Sequence, residues 1–512
     1  MSNGMAKTLS KGKAKELNGL LEQLMQLGAP DYDTVEACLD QHRNMYGVLE
    51  RIRRLEPKLR TTNDRPRMEN VENFTKWATG KGCTLKNVRI AEQAEYGGLG
   101  LEATGTISDT FIEVPRSLFF YIDDGARFKN LLLQMPANMM RDQGNVMLAL
   151  ALIMERFRKN SFWEPYFDVF PVRYTTPLYY TPDDARELIN TEAFHPALKL
   201  CKTIARQYGF IRKVILQYVD ELQNNFTYDV FRWAVSTVMT RQNKVPVNLT
   251  GFFDIDFTLA LIPFWDMGNH AYPTTPEDRP DEARLVAETV YNAERDRLEC
   301  FLDQAPKGGP SVPIFIVYGK RTDAEFLVHN GFVIARNPHT SLKRLFKLNP
   351  EDPLHKERSH LLKLLGIPTE GTFTFGYPTL GHVSPELIAF ARVSSMNEQE
   401  LEHYTTMEET QRKELTDYAT AHRPDLMNRA NLWLAKSMRS QLQGYPTTIE
   451  QDETLLETQN RPMNPIRRLL IEYRLEEKRM LQSYVTLACD ELKRLMAEIK
   501  LGTKQSKQFV EK

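Results

Sequence analysis

The first part of the chain has apolar residues at helical spacing. A set at i, i+3, i+4 and i+7 consists of Leu17, Leu20, Leu21, Leu24 and Leu27. Gly28-Ala29-Pro30 ends this helix, and Asp33-Thr34 can cap a second one. The pattern predicts an N-terminal helical arm over residues 1–64. Its first dozen residues are polar and basic, and we expect them to be disordered.

The spacing changes after residue 65. Short apolar runs between Gly, Asp and Pro turns predict strands. These runs are Val88–Ile90, Leu99–Ala103, Thr110–Val114, Leu285–Tyr291, Leu298–Leu302 and Pro313–Tyr318. Helical spacing returns between about residues 125 and 240. A β-rich domain over 65–340, split by a helical insertion, is therefore predicted.

The last third of the chain has mostly helical spacing. Strand signals fade beyond about residue 345, and a long amphipathic helix begins near Pro465. The sequence predicts an all-α domain over 341–498 and a disordered tail over 499–512. The whole chain is thus expected to have an α+β fold.

One stretch combines a buried strand pattern with polar residues. The apolar run from Leu261 to Phe264 is followed at once by Trp265, Asp266, Asn269 and His270. Polar side chains at the end of a buried run need polar partners. Taken alone, the stretch fits a buried strand with an Asx-type turn and a satisfied core histidine as well as it fits a functional site.

A helix before this stretch adds further polar anchors. Thr227 can cap it, and its buried face is Phe231, Ala234, Val235, Val238 and Met239. Arg241-Gln242-Asn243 then lies near its C-terminal end, where polar side chains can reach a neighbouring cleft. Downstream, Tyr318-Gly319 follows the last predicted strand, and a short helix ends at Gly331.

Bulk composition bounds the class of protein. With 512 residues, 42% hydrophobic and 26% charged, the chain is long enough for two or three globular domains. The net charge of -1 gives no reason to expect nucleic acid or an anionic membrane as the main partner. Five scattered cysteines without CxxC spacing argue against a zinc site or a disulfide framework. We expect a cytoplasmic protein that can also be nuclear.

General catalytic motifs do not name a reaction. The sequence has no HExxH and no GxSxG. The Gly-rich stretch Glu95–Leu101 is not a P-loop, because no Lys-Ser/Thr follows it. It fits a hairpin turn, and it also fits a backbone that a ligand approaches closely.

A family resemblance decides between these interpretations. Trp265-Asp266-Met267-Gly268-Asn269-His270, followed by Tyr318-Gly319, resembles the Asn-His … Tyr-Gly pair of SET-domain methyltransferases. The helical insertion and the trailing helical domain resemble the Rubisco large-subunit methyltransferase class. The run from Arg232 to Asn243 and the run from Tyr318 to Phe326 are similar to the actin-histidine N-methyltransferases within that class. The similarity covers about residues 65–395, and more loosely extends to 490.

The resemblance implies an S-adenosylmethionine site. Its residues would be Arg67, Gly97, Gly98, Leu99, Arg241, Asp266, Met267, Gly268, Asn269, His270, Asn330, Gly331 and Phe332. Gly97, Gly98 and Leu99 stand where the family has an acidic residue, Gly and Phe. Glu95 could supply the acidic contact, and Asn330 stands where a Ser is expected.

The resemblance also implies a reaction and a substrate side. Tyr318 would lie beside the transferring methyl group, and Asn243 would orient a substrate histidine. An imidazole attacks through a lone pair, so an acceptor on its other nitrogen fixes the required neutral tautomer. The residues that would contact the substrate are Ile262, Trp265, Ile316 and Arg321.

The implied function is S-adenosylmethionine-dependent methylation of a histidine in actin, with no metal and no nucleic acid. One alternative is a lysine methyltransferase acting on a histone or another protein. Asn243 argues against it, because related lysine enzymes tend to have an aromatic residue there. The other alternative is a non-catalytic scaffold that uses the SET fold to bind a partner.

Overall fold

The structure is a computed structural model, and its described part leaves several gaps along the chain. It describes residues 10–96, 98–107, 109–122, 127–246, 257–273, 285–302, 311–417, 424–457 and 463–510. The chain divides into two compact units. The first contains residues up to Pro182, Leu198–Lys320 and His329–Gly331, and the second contains Asp183–Ala197, Arg321–Val328 and the residues from Phe332 onward.

Helices occur in both units. Up to residue 241 they are α1 Lys11–Leu27, α2 Val35–Leu55, α3 Arg67–Gly80, α4 Lys129–Gln134, α5 Ala137–Asp142, α6 Gly144–Arg156, α7 Glu164–Phe167, α8 Pro182–Arg186, α9 Phe194–Phe210, α10 Asp220–Gln223 and α11 Tyr228–Arg241. Beyond it they are α12 Asp323–Glu325, α13 His355–Leu364, α14 Pro385–Ser395, α15 Glu398–Thr406, α16 Glu409–Arg412, α17 Pro424–Leu442, α18 Ile449–Glu457 and α19 Pro465–Val510.

The strands of the first unit form two sheets. They are β1 Thr84–Leu85, β2 Val88–Gln93, β3 Gly98–Ala103, β4 Thr110–Pro115, β5 Phe120–Tyr121, β6 Asn243–Pro246, β7 Phe257–Leu261, β8 Asn269–His270, β9 Leu285–Asn292, β10 Arg297–Phe301 and β11 Val312–Ile316. The larger sheet has the order β1-β4-β10-β9-β11-β3-β2, with β8 also paired to β11. The smaller sheet has the order β5-β7-β6.

The N-terminal arm begins each helix at a side-chain cap. The Ser10 hydroxyl accepts a hydrogen bond from Lys13 N, and the Thr34 hydroxyl accepts one from Ala37 N, both at 3.4 Å. These bonds satisfy backbone donors that the first helical turn leaves open. On α1, Leu17, Leu20, Leu21 and Leu24 are buried, as their spacing predicted.

Strand β11 brings the Asn269-His270 pair into the sheet. It pairs in parallel with β8, so that Asn269 lies opposite Phe315 and His270 lies opposite Ile316. On the same side β11 also pairs antiparallel with β3, whose Leu101 lies opposite Ile314, and β9 lies on the other side. The sheet therefore places the Gly-rich stretch and the Asn-His pair on strands that share β11 as a neighbour.

The second unit is mainly helical and has one core cluster. Two strands that lie within it, β12 Leu342–Lys347 and β13 Glu370–Phe375, pair antiparallel. Phe346 of β12 and Phe373 of β13 have ring centroids 6.0 Å apart, and Phe390 of α14 packs 5.3 Å from Phe373. The all-α description of this region therefore needs correction at these two strands, between which α13 lies in sequence. Its β13 buries only Phe373 and Phe375, so the alternation was too short to stand out.

Two other segments differ from their predicted form. Residues 244–246 belong to β6, which pairs with β7, although they are not among the strands that the sequence predicted. The backbone hydrogen bonds to β7 determine this strand, and Val245 is its only buried side chain. Helix α19 continues to Val510, through most of the segment 499–512 that was predicted to be disordered.

Candidate functional site

Helix α11 carries Arg241 to the site. The Thr227 hydroxyl accepts a hydrogen bond from Val230 N at 3.2 Å, which starts the helix where the sequence predicted. Arg241 is its last residue, and its side chain is only 11% exposed. Arg241 Nη1 donates to Asp266 O at 3.0 Å and lies 3.2 Å from Asp266 Oδ2. The helix therefore delivers a buried cation to the turn after β7.

That turn has an unusual backbone at Phe264. Its φ of 63° and ψ of -47°, with a 2.7 Å hydrogen bond from Trp265 N to Pro263 O, describe a γ-turn with positive φ. Such turns are rare and strained, and they persist where packing holds them. Phe264 is fully buried, and its ring stacks on Phe74 of α3 at 4.8 Å. The strained turn sets the direction in which Trp265 and Asp266 leave the strand.

Asp266 is a buried carboxylate held from two sides. The Tyr166 hydroxyl donates to Asp266 Oδ2 at 2.6 Å, and Arg241 lies on the same oxygen. Burial raises the pKa of Asp266, although the charge of Arg241 works in the opposite direction. Burial alone would lower the pKa of Arg241, but Asp266 and the tyrosines Tyr174, Tyr166 and Tyr318 together outweigh it, so the net pKa is raised.

A second guanidinium completes this charged cluster. Arg67, at the start of α3, donates from Nε to Val169 O at 2.8 Å. Burial, together with the nearby charge of Arg241, lowers the pKa of Arg67 to about 10. A Cβ on Gly98 would lie 3.0 Å from Arg67 Nη1, so the missing side chain lets the guanidinium approach β3. Arg67 and Arg241 thus both interact electrostatically with Asp266.

The cluster leaves buried polar atoms unsatisfied. Among the residues that the structure describes, no hydrogen-bond partner reaches Asp266 Oδ1 or Arg241 Nε, and both atoms are buried. Buried polar atoms normally have partners, because an unmet donor or acceptor costs about 1–3 kcal/mol. A ligand that carries both an anionic and a cationic group would match the two guanidiniums and the open carboxylate oxygen.

Asn269 is oriented by a residue that the sequence analysis missed. Its Nδ2 donates to Gln93 Oε1 at 2.7 Å and lies 3.4 Å from Leu99 O. Gln93 in turn donates from Nε2 to Leu101 O at 2.8 Å. A Cβ on Gly100 would lie 1.9 Å from Gln93 Oε1, so only glycine admits this side chain. The sequence contained no signal for this role, because the buried position of Gln93 breaks the alternation that Val88 and Ile90 begin on β2.

His270 joins the Asn-His stretch to Tyr318. The Tyr318 N–H donates to His270 Nδ1 at 3.1 Å, and a backbone N–H can only donate. Nδ1 therefore accepts, and the proton of the neutral ring is on Nε2; the contact to Ile316 O at 3.1 Å would need the other tautomer. The Tyr318 hydroxyl donates to Gly268 O at 2.8 Å. Its oxygen can then only accept from other groups.

The predicted substrate wall is largely buried. Ile262 and Ile316 are 0% and 2% exposed, and a Cβ on Gly268 would lie 3.2 Å from two Ile316 carbons. Trp265 Nε1 donates to Thr289 Oγ1 at 2.9 Å, which fixes the indole against β9. Asn243 is partly exposed at the start of β6, where its Oδ1 accepts from Lys244 N at 2.9 Å. The substrate roles of these residues stay predictions.

The remaining predicted site residues lie at and beyond Arg321 in the chain. Gly331 has a φ of 78°, and its carbonyl accepts from Thr175 Oγ1 at 2.6 Å. Asn330 is partly exposed beside it. Phe332 and Arg321 belong to the second unit, where Phe332 stacks on Phe326 at 4.9 Å and the Arg321 carbonyl accepts from Asn337 Nδ2 at 2.9 Å.

Two residues of the Gly-rich stretch give no support to a cofactor role. Gly97 lies outside the described residues. Glu95 is exposed, and its suggested acidic contact stays a prediction. Met267, by contrast, is 2% exposed, and its sulfur lies 3.8 Å from Arg241 Nη1.

Two further observations concern metal ions and membranes, over the described ranges. No group of three or more His, Cys, Asp or Glu side chains there could hold a metal ion. No helix in the same ranges is both long and apolar enough to cross a membrane.

Known structures share this architecture. The structure of Rubisco LSMT bound to AdoMet aligns with a TM-score of 0.53 at 20% identity, covering 82% of this chain and 92% of that chain. The SET domain of LSMT bound to lysine and AdoHcy aligns with a TM-score of 0.53 at 21% identity, covering 84% and 92%. The family described as Rubisco LSMT substrate-binding matches residues 349–481. The fold is that of a SET-domain methyltransferase with the substrate-binding domain of this class.

Relatives in sequence narrow the class. An actin-histidine N-methyltransferase of Gallus gallus is 33% identical over 482 residues, which cover 93% of this chain and 78% of the relative. The one of Homo sapiens is 32% identical over 482 residues, covering 93% and 77%. The chain belongs to the actin-histidine N-methyltransferase family. The resemblance found in the sequence and the α+β class are both confirmed.

Proposed function

We propose that the protein is an S-adenosylmethionine-dependent protein-histidine N-methyltransferase whose protein substrate is actin. Family membership supports the reaction and the substrate. One observation in the site carries the proposal: the Arg67, Arg241 and Asp266 cluster has buried polar atoms that no described residue satisfies. Asp266 of this cluster lies three residues before Asn269 in the chain.

The charged cluster fits the amino acid end of S-adenosylmethionine. That end carries a carboxylate and an ammonium group, and guanidinium groups bind carboxylates well. Arg67 and Arg241 would hold the carboxylate, and Asp266 Oδ1 would accept from the ammonium. Asn269, whose amide is fixed by Gln93, would hold the cofactor from the neighbouring strand.

Bound S-adenosylmethionine supplies a methyl group on a sulfonium, whose C–S bond breaks as the imidazole nitrogen bonds the carbon, leaving a neutral sulfide. Such a displacement depends mainly on orientation and on exclusion of water. Tyr318 contributes both, because its hydroxyl is held by Gly268 O and its backbone by His270. Its hydroxyl oxygen is left as an acceptor toward polarised C–H groups.

The substrate histidine must present a neutral nitrogen. Asn243, two residues beyond the buried Arg241, would accept a hydrogen bond from the N–H of the other ring nitrogen and so select the tautomer. After transfer, the methylated ring would release that proton to solvent water and become neutral again. Ile262, Trp265 and Ile316 would exclude water around the ring.

The test of the proposal is methylation of purified actin with labelled S-adenosylmethionine, followed by mass spectrometry of the modified peptide. We expect the methyl group on a histidine. Methyl only on lysine would move the function to a lysine methyltransferase. Cofactor binding without any transfer to actin would favour a non-catalytic scaffold.

Asn243 gives a sharper test of the acceptor residue. Asn243→Phe removes the amide acceptor and adds an aromatic face that suits an alkyl-ammonium group. We expect histidine methylation to fall about tenfold or more, equivalent to a lost hydrogen bond, while lysine methylation of a matched peptide rises. An unchanged preference between the two peptides would contradict this assignment.

A further inference from the structure

One cavity of the first unit is lined by more arginines than carboxylates. It has a volume of about 700 Å³ and lies between α2, the linker after α2, the segment around Arg173 and the first half of α11. Its arginines, which define what we call the arginine groove, are Arg53, Arg60, Arg65, Arg173 and Arg232. Only two carboxylates line it, so positive charges exceed negative ones by three.

The arginine groove is separate from the candidate cofactor site. Helix α11 carries Arg232 at the groove and Arg241 at the site, nine residues further on. At 1.5 Å per residue this is about 14 Å along the helix axis. The groove volume lies within the range of about 300–1,000 Å³ that is usual for ligand sites.

Three of the five arginines are paired within the groove. Arg53 Nε and Arg232 Nη2 both contact Asp229 Oδ1, at 2.7 and 2.6 Å. Arg60 pairs with Asp64. The shared aspartate balances only one of its two arginines, although Arg53 also contacts Glu50 on its own helix. With Glu50 included, these three arginines have three carboxylates, so the unbalanced charge of the groove belongs to the other two arginines.

The other two arginines have no acidic partner. In the part of the chain that the structure describes, neither the Arg65 nor the Arg173 guanidinium forms an ion pair, and both residues are exposed. The Arg173 guanidinium lies 5.8 Å from the Tyr179 ring centroid, and Arg232 lies 4.5 Å from the same centroid. Stacking on an aromatic ring restricts a guanidinium and keeps its donors directed outward.

The chemistry of the wall favours a chain of carboxylates over a single phosphate. Phosphate sites typically gather backbone N–H groups at a glycine-rich loop or a helix N-terminus. No glycine lines the described wall of the groove, and its arginines come from four separate segments rather than converging from one loop. An extended acidic peptide can place successive carboxylates against charges that are distributed in this way.

We propose that the arginine groove binds an acidic segment of the protein substrate and so provides a second docking point away from the acceptor histidine. The inference rests on the proposed function, because the ligand is that substrate. Docking at a distance raises the effective concentration of the acceptor at the site and leaves the chemical step unchanged. Its kinetic signature is therefore in KM for the intact protein.

The kinetic test compares intact actin with a short peptide that carries the acceptor histidine between uncharged flanks, both at saturating S-adenosylmethionine. The double variant Arg65→Glu with Arg173→Glu should raise KM for actin about tenfold at low salt and leave kcat and the peptide's KM unchanged. The matched control is Arg43→Glu with Arg141→Glu, whose side chains are 49% and 76% exposed and lie outside the groove. Equal changes for both substrates, or no change for actin, would overturn the proposal.

A binding test remains decisive even if actin is not methylated. Fluorescence anisotropy of labelled decaglutamate should show binding to the full-length protein that weakens steeply with salt and is lost in the groove variant only. Equal binding by the wild type and the groove variant contradicts the groove assignment. Displacement of the probe by inorganic phosphate at similar concentration contradicts the peptide assignment. Failure of methylation with intact probe binding would reject the proposed function and retain an acidic-peptide site.

Discussion

Two buried charge clusters in this protein are built from the same residue types but differ in how completely they are satisfied. In the second unit, Arg474 Nε and Nη2 donate to the two oxygens of Asp452 at 2.8 and 2.6 Å, and Lys478 Nζ lies 2.5 Å from Oδ2. In the first unit, Asp266 Oδ1 and Arg241 Nε are buried and find no partner among the described residues. A complete cluster stabilises a fold, whereas an incomplete one is completed by a ligand.

The pKa shifts of the two aspartates follow this difference. Burial raises the pKa of Asp452, but hydrogen bonds from Arg474 and Lys478 outweigh burial, and the net pKa is lowered. For Asp266 burial wins and the pKa is raised. A lowered pKa means that the charged form stabilises the folded state, and a raised pKa means the reverse. Removing the charge should therefore affect stability at Asp452 much more than at Asp266.

The largest expected effect is on the complete cluster. Asp452→Asn leaves the buried Lys478 without its counter-charge and leaves Arg474 with Glu187 as its remaining acidic partner, and we expect a loss of about 3–5 kcal/mol of stability in the second unit. Urea unfolding followed by circular dichroism measures this loss. The matched control, Glu453→Gln, removes a pair whose side chains are 42% and 45% exposed, and it should change stability by less than about 1 kcal/mol.

In the incomplete cluster, substitution of the aspartate should affect cofactor binding more than stability. Asp266→Asn should cost less stability than Asp452→Asn, because burial already disfavours the Asp266 charge, even though the buried Arg241 loses its carboxylate partner. It should weaken binding of S-adenosylmethionine about thirtyfold or more, since the carboxylate acceptor for an ammonium is lost. Isothermal titration calorimetry measures the affinity. A stable variant with wild-type affinity would remove Asp266 from the site.

A third buried carboxylate, Asp323 in the second unit, accepts hydrogen bonds from three neutral donors and sharpens the comparison. It accepts from Thr340 Oγ1 at 2.7 Å, Asn337 Nδ2 at 3.2 Å and Ile334 N at 3.1 Å. Burial raises its pKa to about 6 in spite of these bonds. Hydrogen bonds from neutral groups therefore do not replace the cations that hold Asp452.

The raised pKa of Asp323 predicts a pH dependence. The folded state binds its proton more tightly than the unfolded state, so this group's contribution is full below about pH 4 and is lost as pH rises through about 6. Between pH 5 and pH 7 the loss should be about 1 kcal/mol. Urea unfolding at both pH values should show it in the wild type, and Asp323→Asn should reduce the difference. An unchanged difference in the variant would assign the effect to other groups.

The smallest effect is expected at Gln93, which acts through Asn269. Gln93→Leu removes the acceptor of the Asn269 amide, so cofactor affinity should fall about fivefold by loss of one hydrogen bond. The control Arg89→Gln changes an exposed position on the same strand, where Arg89 pairs with Glu102. Calorimetry should show an unchanged affinity for this control. Equal losses in both variants would point to a general disturbance of β2.

The sequence predicted elements whose signals are local. Thr227 and the spacing from Phe231 to Met239 located α11, but the apolar run from Leu261 to Phe264 is the end of β7 and the turn after it, not a buried strand. The sequence could not show that Tyr166 donates to an aspartate 100 residues away. The same holds for Gln93 and Asn269, which are 176 residues apart. Such pairs depend on sheet register and helix packing, which no local pattern encodes.

Backbone strain was equally hidden. Phe264 is an ordinary apolar residue in sequence, but its positive φ results from packing against Phe74 and from the hydrogen bond that closes the γ-turn. The functional meaning of the Asn-His stretch came from family resemblance, because spacing alone also fitted a satisfied core histidine. The substrate roles of Asn243 and Arg321 remain predictions for the same reason.

The most direct test of the central claim is the thermal shift caused by S-adenosylmethionine in the wild type, Asp266→Asn and Asp452→Asn. At about one hundred times Kd, a ligand that binds only the folded state stabilises it by about 2.7 kcal/mol. The account predicts a clear shift in the wild type, a lower starting temperature with the shift retained in Asp452→Asn, and little shift in Asp266→Asn. A full shift in Asp266→Asn, or its loss in Asp452→Asn alone, would contradict the assignment of the incomplete cluster to the cofactor.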